Sequence, residues 1–231
     1  MVYEDDRFII HYNKCDEEMI LDMLDLIKDR MPRILSFFHI SYDEKINIKF
    51  YDNVDEYKKN LEASFARIAE EESKKQNMLV QPRKYQDWMI ANTEDGNVNM
   101  QSLYLVRSKK QFSNYTKKEF LLNSCHELTH LCQQKVGSNS PGWFWEVLAT
   151  TLGNPECQHE IEGTFSVQDL DERFDLIDGY GAAFKIGKAL FNTYDSDFIL
   201  SLTQDNDKMY EVVGSIVSKI NATYNDSSFN K

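Results

Sequence analysis

Two histidines and a glutamate stand together near the middle of the chain, in the run His126-Glu127-Leu128-Thr129-His130. On a helix, residues four apart share one face a turn apart, so both imidazoles point the same way. Two nitrogens so placed can take one zinc ion at about 2.0–2.1 Å each. Glu127 projects beside such an ion rather than onto it, where a carboxylate can hold and deprotonate a water molecule. The chemistry expected of this set is hydrolysis assisted by a single metal ion.

The flanking residues supply the helix. Thr116-Lys117-Lys118-Glu119 has the form of a capping box, and Gly137 suits the C′ position of a helix ending near Val136. A second helix follows over Gly142-Trp143-Phe144-Trp145-Glu146-Val147-Leu148-Ala149, with Ser140 as cap, Pro141 at its first position and a stop near Gly153. His130 lies about 9 Å before the end of the first helix, and Glu146 about 8 Å into the second, at 1.5 Å per residue. If the second helix folds back on the first, Glu146 reaches the height of the histidines. It then completes a two-histidine, one-glutamate set with an open fourth position. The rival HExxHxxGxxH pattern is excluded, because Gln133 and Val136 stand where it needs glycine and histidine.

These helices need a scaffold, and the preceding half of the chain supplies strand signals. Phe8 to Tyr12 reads as a strand. Asp16 then caps a helix with Ile20, Met23, Leu24, Ile27, Met31 and Leu35 near helical spacing. Ile46, Ile48 and Phe50 alternate with polar residues as a strand does, and a charged helix follows over about 54–76, with Tyr57, Leu61, Phe65 and Ile68 on one face. Asp95-Gly96 separates two β-like runs, Tyr85 to Ala91 and Asn97 to Val106, and predicts a hairpin. From 116 onward the pattern is helical. The expected fold is α+β: a small N-terminal mixed sheet with helices, followed by a mostly helical C-terminal lobe. We read 1–231 as one catalytic domain, with a sheet-bearing lobe over about 1–113 and a helical lobe over about 114–231.

Composition narrows the partners. Apolar residues make up 42% and charged residues 28% of the 231, an ordinary globular mix. A net charge of -12 repels phosphate backbones, and Lys74-Lys75 and Lys109-Lys110 are too short to offset it, so no nucleic-acid partner is expected. No apolar run is long enough to span a membrane. The acidic start, Met1-Val2-Tyr3-Glu4-Asp5-Asp6, is unlike a secretory leader, so the expected location is cytoplasmic. Cysteines 15, 125, 132 and 157 form no CxxC pair. Cys125 and Cys132 lie about 10 Å apart on one helix, too far for a disulfide, and read as buried free thiols. His11, His39 and His159 stand alone and read as structural. Oligomeric state is not legible.

The HELTH run and the Pro141-to-Ala149 segment together resemble the gluzincin metallopeptidases of the peptidase MA-like group. Their pattern is HELTH, a short loop, then a Pro-x-Trp-x-x-Glu-Gly-x-Ala helix. Tyr180-Gly181-Ala182-Ala183-Phe184-Lys185-Ile186-Gly187 resembles the helix that follows in that group, and Leu190 to Tyr194 its ending, with Asp195 in place of a glycine. The resemblance implies a zincin-like fold and one catalytic zinc ion held by His126, His130 and Glu146. It implies Glu127 as general base and Tyr180 as a donor to the oxyanion. It also implies a peptide or protein substrate laid along an edge strand, for which Asn97 to Val106 is the expected segment. Two positions depart from the pattern: Val147 replaces the glycine after the ligand glutamate, and Thr150 replaces a carboxylate that steadies one histidine. These departures admit a second reading, a zinc-binding protein with weak or lost catalysis and a binding or regulatory role.

Overall fold

A computed structural model describes residues 1–156, 161 and 163–228; Cys157, His159 and Glu160 lie outside the described residues. The elements in order are β1 (Val2–Glu4), β2 (Phe8–His11), α1 (Glu17–Phe38), β3 (Ile46–Tyr51), α2 (Val54–Gln76), β4 (Ala91–Glu94), β5 (Asn97–Gln101) and α3 (Leu103–Ser108). Then come α4 (Lys117–Val136), α5 (Gly142–Gly153), α6 (Val167–Arg173), α7 (Gly179–Thr193), α8 (Ser196–Leu202) and α9 (Asn206–Ser228). The class is α+β, as expected. Two compact units divide the chain: Met1–Asp29 with Tyr42–Leu131, and Arg30–Ser41 with Cys132–Lys231.

The first unit holds a five-stranded mixed sheet in the order β1-β2-β3-β5-β4. The β2-β3 and β3-β5 pairs are parallel, and the outer pairs β1-β2 and β4-β5 are antiparallel. Alternation along β3 gives the sheet two buried faces. Phe50 meets Phe120 of α4 at 5.9 Å between ring centroids. Its neighbour Tyr51 points the other way, into a cluster with Tyr57 and Leu61 of α2 and Met89. Ile10, Ile48, Val98, Ile27 and Leu128 are almost wholly buried. Each such side chain contributes about 1.5–3 kcal/mol relative to exposure.

Local signals explain where elements begin and stop. Asn53 caps α2 by accepting from the amides of Asp55 and Glu56, and Asn77 ends it in the left-handed region. Asp95 and Gly96 have φ of 47° and 76°, the two positive values of a two-residue I′ hairpin between β4 and β5.

Three expectations in this region are corrected. The run Asn97 to Val106 is not one strand: β5 ends at Gln101, and the Ser102 hydroxyl then accepts from the Leu105 amide and starts α3. Nor is β5 an edge, since β3 and β4 flank it; the edge on that side is β4. Tyr85 to Ile90 is not a strand either. It is a loop pinned by Lys109 Nζ, which donates to the Tyr85 hydroxyl and the Asp87 carbonyl, and by Gln101 Nε2, which donates to the Met89 carbonyl.

In the second unit α7 lies close on α5. An atom added as Cβ at Gly187 would come within 1.8 Å of Thr151 Oγ1 and 3.1 Å of the Val147 carbonyl oxygen, so only glycine admits this approach. Asn221 of α9 grips the Phe165 backbone at both its amide and its carbonyl. Asp171 of α6 accepts from Trp143 Nε1 at 2.6 Å and from the Tyr210 hydroxyl at 2.9 Å, tying α5 and α9 to one carboxylate. Among the described residues no helix is long and apolar enough to cross a membrane.

Candidate metal centre

The helix that carries the histidines is built as its sequence demands. At its start the Thr116 amide donates to Glu119 Oε2 at 2.6 Å and the Glu119 amide to Thr116 Oγ1 at 3.1 Å, a reciprocal capping box. At its end Gly137 adopts φ of 67°. Its amide donates to the Gln133 carbonyl. Between these caps α4 is one uninterrupted helix, Lys117–Val136.

On that helix the two imidazoles converge. His126 Nε2 and His130 Nε2 lie 3.0 Å apart, with ring centroids 4.7 Å apart and planes at 84°. Two nitrogens bound tetrahedrally to one zinc ion at ordinary distances lie about 3.3–3.4 Å apart. The pair therefore stands near chelating separation. His126 is buried and His130 partly so.

The third donor comes from α5. Pro141 occupies the cap position of this helix. Ser140, expected to cap it, instead bonds Ser138 Oγ at 2.6 Å. The Ser138 hydroxyl lies at the centre of the turn before α5: it accepts from Trp145 Nε1 at 3.1 Å, and the Asn139 amide beside it donates to the Thr203 carbonyl. Gln204 and Asn206 donate to the carbonyls of Gly137 and Asn139. A further tie runs to the C-terminal end of α4, where the buried Gln133 side chain donates to the Trp145 carbonyl at 3.0 Å. Gln133 lies seven residues after His126 and so shares its face. The residue after Trp145 is Glu146. His126, His130 and Glu146 each offer a ligand atom, and these atoms all lie within 4.8 Å of one another. Two imidazoles and a carboxylate are donors that suit a borderline divalent ion, and the group can hold a metal ion.

Glu127 is buried on the adjoining helical position. The Thr93 hydroxyl of β4 lies 2.8 Å from Glu127 Oε2 and 2.8 Å from the Glu127 carbonyl oxygen. Tyr57 of α2 is wholly buried. Burial first, then the charge of Glu127, pushes its phenol well above the ordinary tyrosine range, so it stays neutral.

Two further positions bear on the site. Thr150 is buried, and among the described residues its hydroxyl has no hydrogen-bond partner. Its neighbour Thr151 by contrast donates to the Val147 carbonyl at 2.7 Å. Tyr180, the second residue of α7, is half-buried with its ring edge-on to Phe174 at 5.4 Å.

Sequence reasoning passed over Thr93 and Gln133. Gln133 carried a signal, since His126, His130 and Gln133 form an i, i+4, i+7 polar stripe on a buried helix. Thr93 carried none, because its partner is 34 residues away. No family model, no curated protein and no solved structure matches the chain.

Proposed function

We propose that this protein is a zinc-dependent peptidase in which His126, His130 and Glu146 hold the metal and Glu127 moves the proton. The observation that carries the reading is the convergence of three ligand atoms within 4.8 Å, with a buried carboxylate one residue from the first of them. The donor set fits zinc, and three protein ligands leave the fourth position for water or substrate, as a catalytic rather than a structural site requires. Zinc bound there supplies Lewis acidity toward water and a substrate carbonyl.

The chain's own residues supply the rest. Glu127 accepts a proton from the attacking water and passes it to the leaving amine. The edge strand β4 offers backbone groups with which an extended peptide pairs. Tyr180 donates a hydrogen bond to the developing oxyanion, a role that rests on the family resemblance alone.

Glu127→Gln tests the reading. The amide keeps the shape and loses the base, so hydrolysis of peptides selected from a library falls by about 10²–10⁴-fold while zinc content is unchanged. Unchanged hydrolysis would overturn the role of Glu127. The second reading, a zinc-binding protein without turnover, is favoured by the Thr150 hydroxyl, which has no partner among the described residues at the position where the resembling family keeps a carboxylate. Under it the wild type hydrolyses nothing in the library, and ligand binding is the same with Glu127→Gln.

A further inference from the structure

The carboxylate proposed to move the proton is held from outside its own helix. Thr93 Oγ1, on β4, reaches Glu127 Oε2 at 2.8 Å. The same oxygen lies 2.8 Å from the carbonyl of Glu127. A hydroxyl carries one hydrogen, and a charged carboxylate is the stronger of these two acceptors. Glu127 is only 6% exposed, so little water competes for that bond.

We propose that Thr93 is a positioning residue for the proton-transfer step: it fixes one carboxylate oxygen of Glu127 and leaves the other to face the reacting water. The inference rests on the peptidase reading and deepens it. A glutamate side chain turns about three bonds, and on the helix alone nothing selects the rotamer that aims it. The Glu127 carbonyl oxygen lies at the same distance from the hydroxyl, so Thr93 sits beside the root of the residue whose carboxylate it holds. It also ties the base to the strand on which an extended substrate would lie. A peptide paired with β4 is thereby placed in register with the carboxylate.

The placement is specific to this side chain. Side chains alternate along a strand, so Asn92 and Glu94 face away from the sheet surface that Thr93 shares with Ala91. Glu94 is committed elsewhere, paired with Arg67. Thr93→Val keeps the shape and β-branching of threonine and removes the hydroxyl. Serine keeps the donor and removes a methyl group.

The experiment compares wild type, Thr93→Val and Thr93→Ser for zinc content, kcat and KM on one library-selected peptide. Loss of aim lowers kcat by about 10-fold or more, the rate effect of one misplaced catalytic hydrogen bond. KM and zinc content stay within two-fold of wild type, about the noise of such assays, and Thr93→Ser recovers most of kcat. A Thr93→Val enzyme with wild-type kcat, or a loss that serine does not recover, overturns the proposal.

A second measurement needs no turnover, and so separates failure of this inference from failure of the peptidase reading. Urea unfolding of Thr93→Val, Glu127→Leu and the double variant forms a thermodynamic cycle. A hydrogen bond to a charged group couples the two sites by about 10-fold or more in the folding constant. Coupling with an inactive wild type would sink the peptidase reading and keep the Thr93–Glu127 clamp. Additive effects would sink the clamp itself.

Discussion

The side-chain amide of Gln133 donates to the main-chain carbonyl of Trp145 at 3.0 Å. This bond joins the C-terminal end of α4 to the turn of α5 that carries Glu146. Gln133 is 1% exposed, so the amide has little access to water in its place. Gln133→Leu removes the donor at similar size and is expected to lower stability by about 1–3 kcal/mol. It also weakens zinc binding in chelator competition by several-fold, because the turn that carries Glu146 loses one of its ties. A destabilised variant with wild-type zinc affinity would show that α5 is placed by other contacts.

Gly187 sets how closely α7 approaches α5. Its missing Cβ leaves the space occupied by Thr151 Oγ1, and the Val147 carbonyl lies behind it. Gly187→Ala forces the threonine from its bond to Val147 and pushes backbone against backbone. The expected cost is about 1–3 kcal/mol, read as a lower urea midpoint with unchanged slope. An unchanged midpoint would mean that the two helices can slide apart freely.

Thr150 invites the opposite change. Its buried hydroxyl has no partner among the described residues, and burying such a group carries a desolvation penalty. Thr150→Val is nearly isosteric and is expected to raise stability by about 1 kcal/mol at unchanged zinc content. A fall in zinc affinity would instead show that this hydroxyl acts on the metal site, in the manner of the carboxylate found there in the resembling family.

Cys132 shares α4 with His126 and His130, yet it is no candidate for chemistry at neutral pH. Burial pushes its thiol from 9.0 up to about 12. Iodoacetamide applied to the native protein at pH 8, followed by peptide mapping, is expected to leave Cys132 unmodified and to label the exposed Cys15. The sign of the pH dependence follows from linkage. The folded thiol keeps its proton where the unfolded one loses it, so its contribution is complete below pH about 9 and falls as the pH rises toward 12. Stability of Cys132→Ala should therefore decline less steeply than wild type between about pH 9 and 10, the tyrosines that also begin to ionise there being common to both proteins. Parallel declines would contradict the burial of this thiol.

How much of this was legible in the sequence depends on how local each determinant is. The capping box at Thr116 and Glu119, the αL turn at Gly137 and the hairpin at Asp95-Gly96 each act within four residues, and the structure places all of them as the sequence predicts. The spacing of His126 and His130 is equally local. The strand order is not, since it depends on pairings between residues far apart, and so β4 rather than β5 is the edge on that side of the sheet. Ser102 was overlooked because a polar residue inside a β-like run reads as alternation until its hydroxyl is seen to cap α3. Ser140 was assigned the capping role that position suggests, but a nearer partner, Ser138, takes its hydroxyl. Helical arithmetic brings Glu146 to the height of the histidines because the connection between the two helices is short, and the three ligand atoms do lie within 4.8 Å of one another. Thr93 required the fold.

The central claim is that His126, His130 and Glu146 bind one zinc ion. The most direct measurement is metal content by mass spectrometry on tag-free protein purified without chelator, for wild type, His130→Ala and Glu146→Gln, with folding checked by circular dichroism. The account predicts about one zinc per chain in the wild type, as a three-ligand site requires, and little or none in folded His130→Ala. Glu146→Gln should bind more weakly. A wild-type protein that takes up no zinc even after reconstitution, or a folded His130→Ala that keeps its full complement, would contradict it.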